Sequence, residues 1–284
     1  MNLSPETVTK SLSPETVTKS VSLEESSISL IIPVFNQEKK IFSSIKKMKQ
    51  VIESAFNNYE MIVVNDGSID NTLETLKGIA LTDEHIHILS HVPNRGKGYA
   101  VRQGVLHSHG DVVMFLDGDL DISPDSIEAY VEKLSISDLV IASKRHPESK
   151  VLIPKSRAFL SRAFNLITRV ATGIPQKDTQ AGFKVGNGDK MRTIFKSAHV
   201  NRYAFDVELF TIASIMDLRV QEMPVIMRID RKFNIKDVVN MFLDVIRICY
   251  RHKILHLYQK ELAVHLSATP QSNVSQHQQD GLIP

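Results

Sequence analysis

The residues best suited to chemistry lie in one stretch, Asp111-Val112-Val113-Met114-Phe115-Leu116-Asp117-Gly118-Asp119-Leu120-Asp121. Its apolar run, 112–116, has the length of a buried strand. Carboxylates then recur at Asp117, Asp119 and Asp121, and alternate positions of an extended segment share one side. Three acids converging with no base between them repel one another unless a cation sits among them. A hard ion such as Mg²⁺ or Mn²⁺ takes one or two carboxylates and completes its shell with phosphate oxygens. Gly118 lets the backbone approach a ligand closely. The functional reading is a metal–diphosphate site at the carboxyl end of a central strand, with Asp117, Asp119 and Asp121 as metal ligands. The competing reading is a solvated acidic loop ahead of a helix that starts near Pro124.

Three other loops follow strand-like runs and fall at the same sheet edge. They are Pro33-Val34-Phe35-Asn36-Gln37-Glu38, Asn65-Asp66-Gly67-Ser68-Ile69-Asp70 and Asn94-Arg95-Gly96-Lys97-Gly98. A buried acid such as Asp66 could accept hydrogen bonds from a nucleobase, and Phe35 could stack on that base. Gly96 and Gly98 could pass close to ribose or phosphate, whereas Lys97 taken alone reads as a loop surface residue. No strand is followed by Gly-x-Gly-x-x-Gly, and a Walker loop is missing.

Those loops need a scaffold. The chain has 284 residues, 42% hydrophobic and 23% charged, enough to bury a sizeable core. A formal net charge of +2 offers no global electrostatic case for nucleic acid. The single cysteine, Cys249, excludes an internal disulfide framework and a Cys-rich zinc site, and fits a reducing compartment. No apolar run reaches the length of a membrane span, and the amino terminus lacks a signal-peptide core. From Ile28 onward strands and helices alternate: strands at 28–34, 59–65, 86–89, 112–116 and 138–142, with helices between them. This order predicts an α/β fold, a mainly parallel central sheet with helices on both faces.

Residues 4–10 and 13–19 are the same heptapeptide, Ser-Pro-Glu-Thr-Val-Thr-Lys, at a period of nine. Residues 1–27 read as a disordered tail, 28–232 as the main domain and 263–284 as a second polar tail. Within the second half, 179–185 reads as extended, 205–216 as a helix and 220–227 as a strand interrupted by Pro224. Asp206 and Glu208 read as charges favouring a helix start. Residues 235–259, in a segment 233–262, form one amphipathic helix with Val238, Phe242, Val245 and Ile246 on its stripe and Arg247, Arg251 and Lys253 among its basic residues. It packs on its own domain or lies in a membrane interface.

The ordered loops together resemble the family 2 inverting glycosyltransferases of GT-A fold. Within them the chain is similar to the dolichyl-phosphate hexose synthases, mannosyl and glucosyl. Ala142-Ser143-Lys144-Arg145, Asp178-Thr179-Gln180-Ala181-Gly182-Phe183-Lys184 and Arg202-Tyr203-Ala204-Phe205-Asp206-Val207-Glu208-Leu209 extend the likeness. The last two are closer to the glucosyl branch, and the resemblance spans roughly residues 28–260. It implies a nucleotide pocket at Pro33, Phe35 and Asp66, served by Asn36, Gln37, Glu38, Gly67, Ser68, Gly96 and Lys97 of the same loops. It implies a metal–diphosphate site at Asp117, Gly118 and Asp119, with Asp121 at the position of a third ligand. Lys144 stands where the mannosyl enzymes carry an Arg on the acceptor phosphate. Arg157 and Ser161, one helical turn apart, match a second acceptor-phosphate pair, which Arg228 or Arg231 would complete. Asp178, Gln180 and Gly182 belong to a sugar-facing loop.

Two positions depart from the family pattern. Gln37 follows Asn36 where a Glu is usual, with Glu38 next, and Lys144 keeps a charge but loses the bidentate fork of Arg. Both leave the donor base open. The implied reaction moves a hexose from UDP-glucose or GDP-mannose to dolichyl or polyprenyl phosphate with inversion, aided by Mg²⁺ or Mn²⁺, for glycan assembly. The implied setting is peripheral, at a cytoplasmic membrane face reached through residues 235–260. A soluble or glycan hydroxyl acceptor would instead require a general base, Asp178 or Asp206. A non-catalytic binder of nucleotide-sugar or of a partner is the third reading.

Overall fold

A computed structural model of the chain describes residues 25–228 and 235–267, the side chains of 155–157, 228, 235–236 and 266 excepted. The heptapeptide repeat, Arg231 and residues 268–284 lie outside the described residues. Strand and helix alternate through β1 (Ile28–Val34), α1 (Ile41–Ala55), β2 (Tyr59–Asp66), α2 (Thr72–Ala80), β3 (Ile86–His91), α3 (Lys97–His107) and β4 (Val112–Leu116). A 3-10 turn then leads into α4 (Ile127–Glu132), followed by β5 (Leu139–Ser143), β6 (Lys150–Leu152) and α5 (Lys155–Thr172). The remainder is β7 (Phe183–Asn187), α6 (Gly188–Lys196), α7 (Phe205–Ile215), β8 (Val220–Pro224), β9 (Ile226–Arg228), α8 (Ile235–Cys249) and α9 (Leu257–Ser267).

The main sheet runs in the order β3-β2-β1-β4-β7-β5-β8. Among its described strands, β7 alone opposes the rest, pairing antiparallel with β4 and β5. Because side chains alternate on a strand, both faces of β1 and β4 must be apolar when helices cover both sides. Ile31, Val113 and Phe115 join the core under α3, α6 and α7. Leu30, Ile32, Met114 and Leu116 face α1 and α4, where Ile41, Ile45, Met48 and Ile52 follow helical spacing. Every residue of β4 is buried, at about 2 kcal/mol for each large side chain. The strand that leads into Asp117 is thus firmly held in the sheet. Strand order reverses at β1: β2 and β3 lie to one side and β4 to the other, all parallel, and at such a point α/β sheets open a ligand crevice at the carboxyl edge.

Two expectations change and one is met. Residues 25–27 belong to the fold rather than a tail, since Ser27 donates to Asp111 Oδ2 through its hydroxyl at 2.7 Å. The interruption expected at Pro224 within 220–227 is met: β8 ends there, because the missing N–H cannot continue the ladder, and the chain resumes as β9 in a separate parallel pair with β6. The single helix expected over 235–259 is two. After α8 comes a π-helical turn, Tyr250–Ile254, and His256 takes a left-handed backbone at φ 50° before α9 sets off. Tertiary bonds override the helical pattern here. Tyr258 Oη donates to Glu208 Oε1 at 2.6 Å and His199 Nε2 lies 2.9 Å from Glu261, fastening α9 to α7 and the loop before it. α9 also carries helix beyond 262, to Ser267.

Candidate active site

The four loops converge as the spacing predicts, around a cavity of about 510 Å³ at the carboxyl edge of the sheet. Pro33, Phe35 and Gln37 line it after β1, Gly96 and Lys97 at the start of α3, and Asp117, Gly118, Asp119 and Asp121 after β4. Lys144 at the end of β5, Ser161 on α5 and Gln180 before β7 form the opposite side. Arg157 and Arg228 fall on α5 and β9, but their side chains lie outside the described residues, as does all of Arg231.

Several expected ligand residues are engaged within the protein. Asn36, at φ 51°, donates its N–H to Ser68 Oγ at 2.9 Å and accepts from Ile69 N–H through Oδ1 at 2.9 Å. Glu38 accepts from Asn71 N–H at 3.1 Å. Asn36, Glu38 and Ser68 therefore lace the first two loops together, Gly67 packs against Pro93 and Asn94, and none of the four lines the cavity. Asp66 is only 4% exposed. Its carboxylate accepts from Arg95 N–H at 2.7 Å, Gly96 N–H at 2.9 Å and Asn94 Nδ2 at 2.9 Å, and His91 Nε2 lies 2.7 Å away. The acid expected to read a nucleobase is thus also the post around which the third loop winds. Gly96 is required in that loop: its φ is +104°, and a Cβ would stand 2.6 Å from Asn201 O.

At the centre, Lys97 Nζ lies 2.6 Å from Asp117 Oδ1. Lys97 is no surface residue. Burial disfavours its charge, but the carboxylates of Asp117, Asp206 and Asp119 outweigh that and hold the ammonium above its ordinary range. Across the cavity Lys144 Nζ lies 3.2 Å from Asp178 Oδ1. Asp178 also accepts N–H bonds from Lys144 at 2.7 Å and Gln180 at 3.1 Å. Burial works against its charge, yet the Lys144 ammonium and these N–H donors hold its carboxyl below the usual carboxylate range.

A model of the "Glycosyl transferase family 2" family matches residues 29–195. A dolichyl-phosphate β-glucosyltransferase of Trichomonas vaginalis is 31% identical over 235 residues, covering 78% of this chain and 70% of that protein. One of Drosophila melanogaster is 32% identical over 222 residues, covering 72% and 68%. The chain belongs to glycosyl transferase family 2.

The solved glucosyl-3-phosphoglycerate synthase of Mycobacterium tuberculosis in complex with uridine diphosphate has the same fold, with a TM-score of 0.59 at 20% identity over 80% of this chain and 79% of that one. The GT-A architecture expected from the motifs therefore holds, and the protein is a glycosyltransferase.

Family 2 membership raises the question of a divalent cation. The donor set fits one: Asp117 and Asp119 are hard oxygen ligands, and Gln37 Oε1, buried beside Gly118, has no hydrogen-bond donor among the described residues. The three acids do not form a ready cage, however; among the described residues no trio of acidic, His or Cys side chains clusters to hold a metal. The alternating geometry ends at Leu116, and Leu120 adopts φ 58°, which turns Asp121 out of the pattern. Asp121 reaches back instead, its N–H donating to Asp119 Oδ1 at 3.1 Å.

Sequence reasoning missed the floor of the site. Lys184, in the middle of β7, is 2% exposed, and its Nζ lies 2.7 Å from Asp206 Oδ1. Burial drives Lys184 below and Asp206 above its ordinary range, against their mutual attraction. Asp206 and Glu208 do lie in the first turn of α7, as expected, but both are buried; Glu208 is 0% exposed and accepts N–H bonds from His199 and Val200. The available signal was a lysine inside the apolar run Phe183-Lys184-Val185, since a buried charge demands a partner.

Proposed function

We propose that the protein transfers glucose from UDP-glucose to dolichyl phosphate with inversion, giving a lipid-phosphate β-glucose. The observation that carries this reading is the lining of the cavity. One side bears Asp117 and Asp119, the other Lys144 and Ser161, and a further stretch of its wall is largely apolar, with Ile153, Leu160, Met227, Val238 and Met241 beside Asp237. That suits an anionic donor diphosphate, an anionic acceptor head and a hydrocarbon chain in one space. The names of the curated relatives, and the uridine diphosphate held by the solved neighbours, support the glucosyl donor over GDP-mannose.

The chain's own residues account for a reaction without a general base. A phosphate monoester has its second pKa at about 6, so at neutral pH it is mostly a dianion and already nucleophilic. The protein must hold two anions together rather than remove a proton. Lys144, steadied by Asp178, faces the acceptor side as a fixed positive charge. Lys97 supplies positive charge on the donor side. A Mg²⁺ or Mn²⁺ held by Asp117 and Asp119 would act as Lewis acid for the departing diphosphate. The acids that a hydroxyl acceptor would need, Asp178 and Asp206, are paired with Lys144 and with the buried Lys184, which disfavours that alternative.

Among the described residues no helix is long and apolar enough to cross a membrane. The proposed contact with lipid is peripheral. On α8, Val239, Leu243 and Ile246, and Tyr250 at the start of the π-helical turn, leave their side chains exposed in one stripe; beside it on α5, Phe159, Leu166 and Val170 do the same. Phe164 and Phe242 join the two helices edge to face, with ring centroids 5.4 Å apart. Both helices border the cavity, so a lipid drawn from that face meets the apolar flank directly.

The test is transfer from radiolabelled UDP-glucose to a short polyprenyl phosphate, with Mn²⁺ or with EDTA. Metal-dependent label in the organic phase, absent with GDP-mannose, is the expected result. Donor turnover without a lipid product would overturn the acceptor assignment.

A further inference from the structure

The position of Lys97 carries a consequence beyond charge. Its ammonium lies 2.6 Å from Asp117 Oδ1 and also feels Asp206 and Asp119, so it stands among the carboxylates that a cation would use. The other oxygen of Asp117, Oδ2, rests in the space that Gly182 leaves by having no Cβ, since one there would come within 2.2 Å. Lys97 thus already holds one of the two oxygens of Asp117, Oδ1.

The backbone of Lys97 has no freedom to withdraw. Cβ atoms at Gly96 and Gly98 would meet Asn201 O and Val200 O at 2.6 Å each, so the start of α3 is pressed onto the loop before α7. The lysine side chain is unbranched and flexible, and 21% of it is exposed towards the cavity. A divalent cation and an ammonium cannot share one carboxylate oxygen without strong like-charge repulsion. An arriving diphosphate, in turn, presents oxygens that an ammonium pairs with readily.

We propose that Lys97 is a resident counter-ion, which a divalent cation must displace from Asp117 and which then pairs with the donor diphosphate. Cation and diphosphate thereby enter as a linked pair: each is bound poorly until the other has given Lys97 somewhere to go or cleared it away. The inference rests on the proposed function in one respect, that a diphosphate occupies this cavity; the lipid acceptor plays no part in it.

The test measures binding, not turnover. Free Mn²⁺ is titrated against the full chain by electron paramagnetic resonance, alone and with UDP or inorganic diphosphate. Wild type binds Mn²⁺ alone weakly, and UDP tightens it at least tenfold. Lys97→Met, which keeps the stem and removes the charge, binds Mn²⁺ alone at least tenfold more tightly than wild type. Its binding of UDP weakens and the coupling shrinks. Lys97→Arg behaves as wild type towards Mn²⁺ alone. Lys97→Gln serves as a second uncharged variant should the Met form not fold. Unchanged or weaker Mn²⁺ binding by the uncharged variants, or a wild type whose Mn²⁺ affinity ignores UDP, overturns the proposal. Loss of lipid transfer with the exchange intact would overturn the proposed function alone.

Discussion

Gly182→Ala tests whether Asp117 must occupy its present position. A Cβ at residue 182 would stand 2.2 Å from Asp117 Oδ2 and 2.8 Å from its Cγ, against ordinary contact from 3.4 Å. The carboxylate would have to retreat by about 1.2 Å, the difference between 3.4 and 2.2 Å, and would leave its 2.6 Å contact with Lys97. No special backbone conformation protects the glycine, since Gly182 is not among the positive-φ residues. Asp117 can yield towards the cavity, its side chain being 29% exposed, so the cost to folding is only about 1–2 kcal/mol. A misplacement of about 1 Å at a reacting centre costs on the order of 10²-fold in rate. Glucose transfer to polyprenyl phosphate, measured beside thermal unfolding, should show kcat/KM down about a hundredfold with a modest fall in Tm. Activity within threefold of wild type in a stably folded variant would refute the reasoning, because Asp117 would then not be needed where it lies.

Asp178→Asn removes a buried carboxylate that holds Lys144 and accepts two backbone N–H bonds, and should cost about 3 kcal/mol in urea unfolding. The folded-state pKa of Asp178 is depressed, so its contribution is present above the ordinary carboxylate range and lost as pH falls through the folded value. The variant should therefore lose part of the wild-type decline in stability on the acid side; parallel acid limbs would refute that assignment. Replacing Leu243 and Ile246 together by Asp should lower sedimentation with phosphatidylcholine–phosphatidylserine vesicles at low salt at least tenfold, while leaving thermal stability nearly unchanged, since both side chains are exposed. Vesicle binding equal to wild type would remove α8 from the proposed membrane face.

The loops that build the site were legible in the chain because each is punctuation after an apolar run. Phe115-Leu116 followed by Asp117-Gly118-Asp119 can only be a buried strand giving way to a polar edge, and β4 proves buried throughout. Lys144 and Gln180, on the far side of the cavity, were indicated by the family resemblance rather than by this pattern. The interior of the site was not legible. Helical and strand periods describe which face is apolar, and they fail where a charge lies inside an apolar element. Lys184 and Asp206 are 22 positions apart in sequence, on β7 and at the start of α7, and only the packing of α7 beneath the sheet makes them an ion pair at 2.7 Å. The break near His256 has the same origin: the expected helix ran on to 259, but bonds to Glu208 and His199 hold α9 elsewhere. Local sequence thus determined which residues reach the carboxyl edge of the sheet. Tertiary structure decided which of them are engaged with one another, because hydrogen bonding and ion pairing depend on distances that neither period encodes.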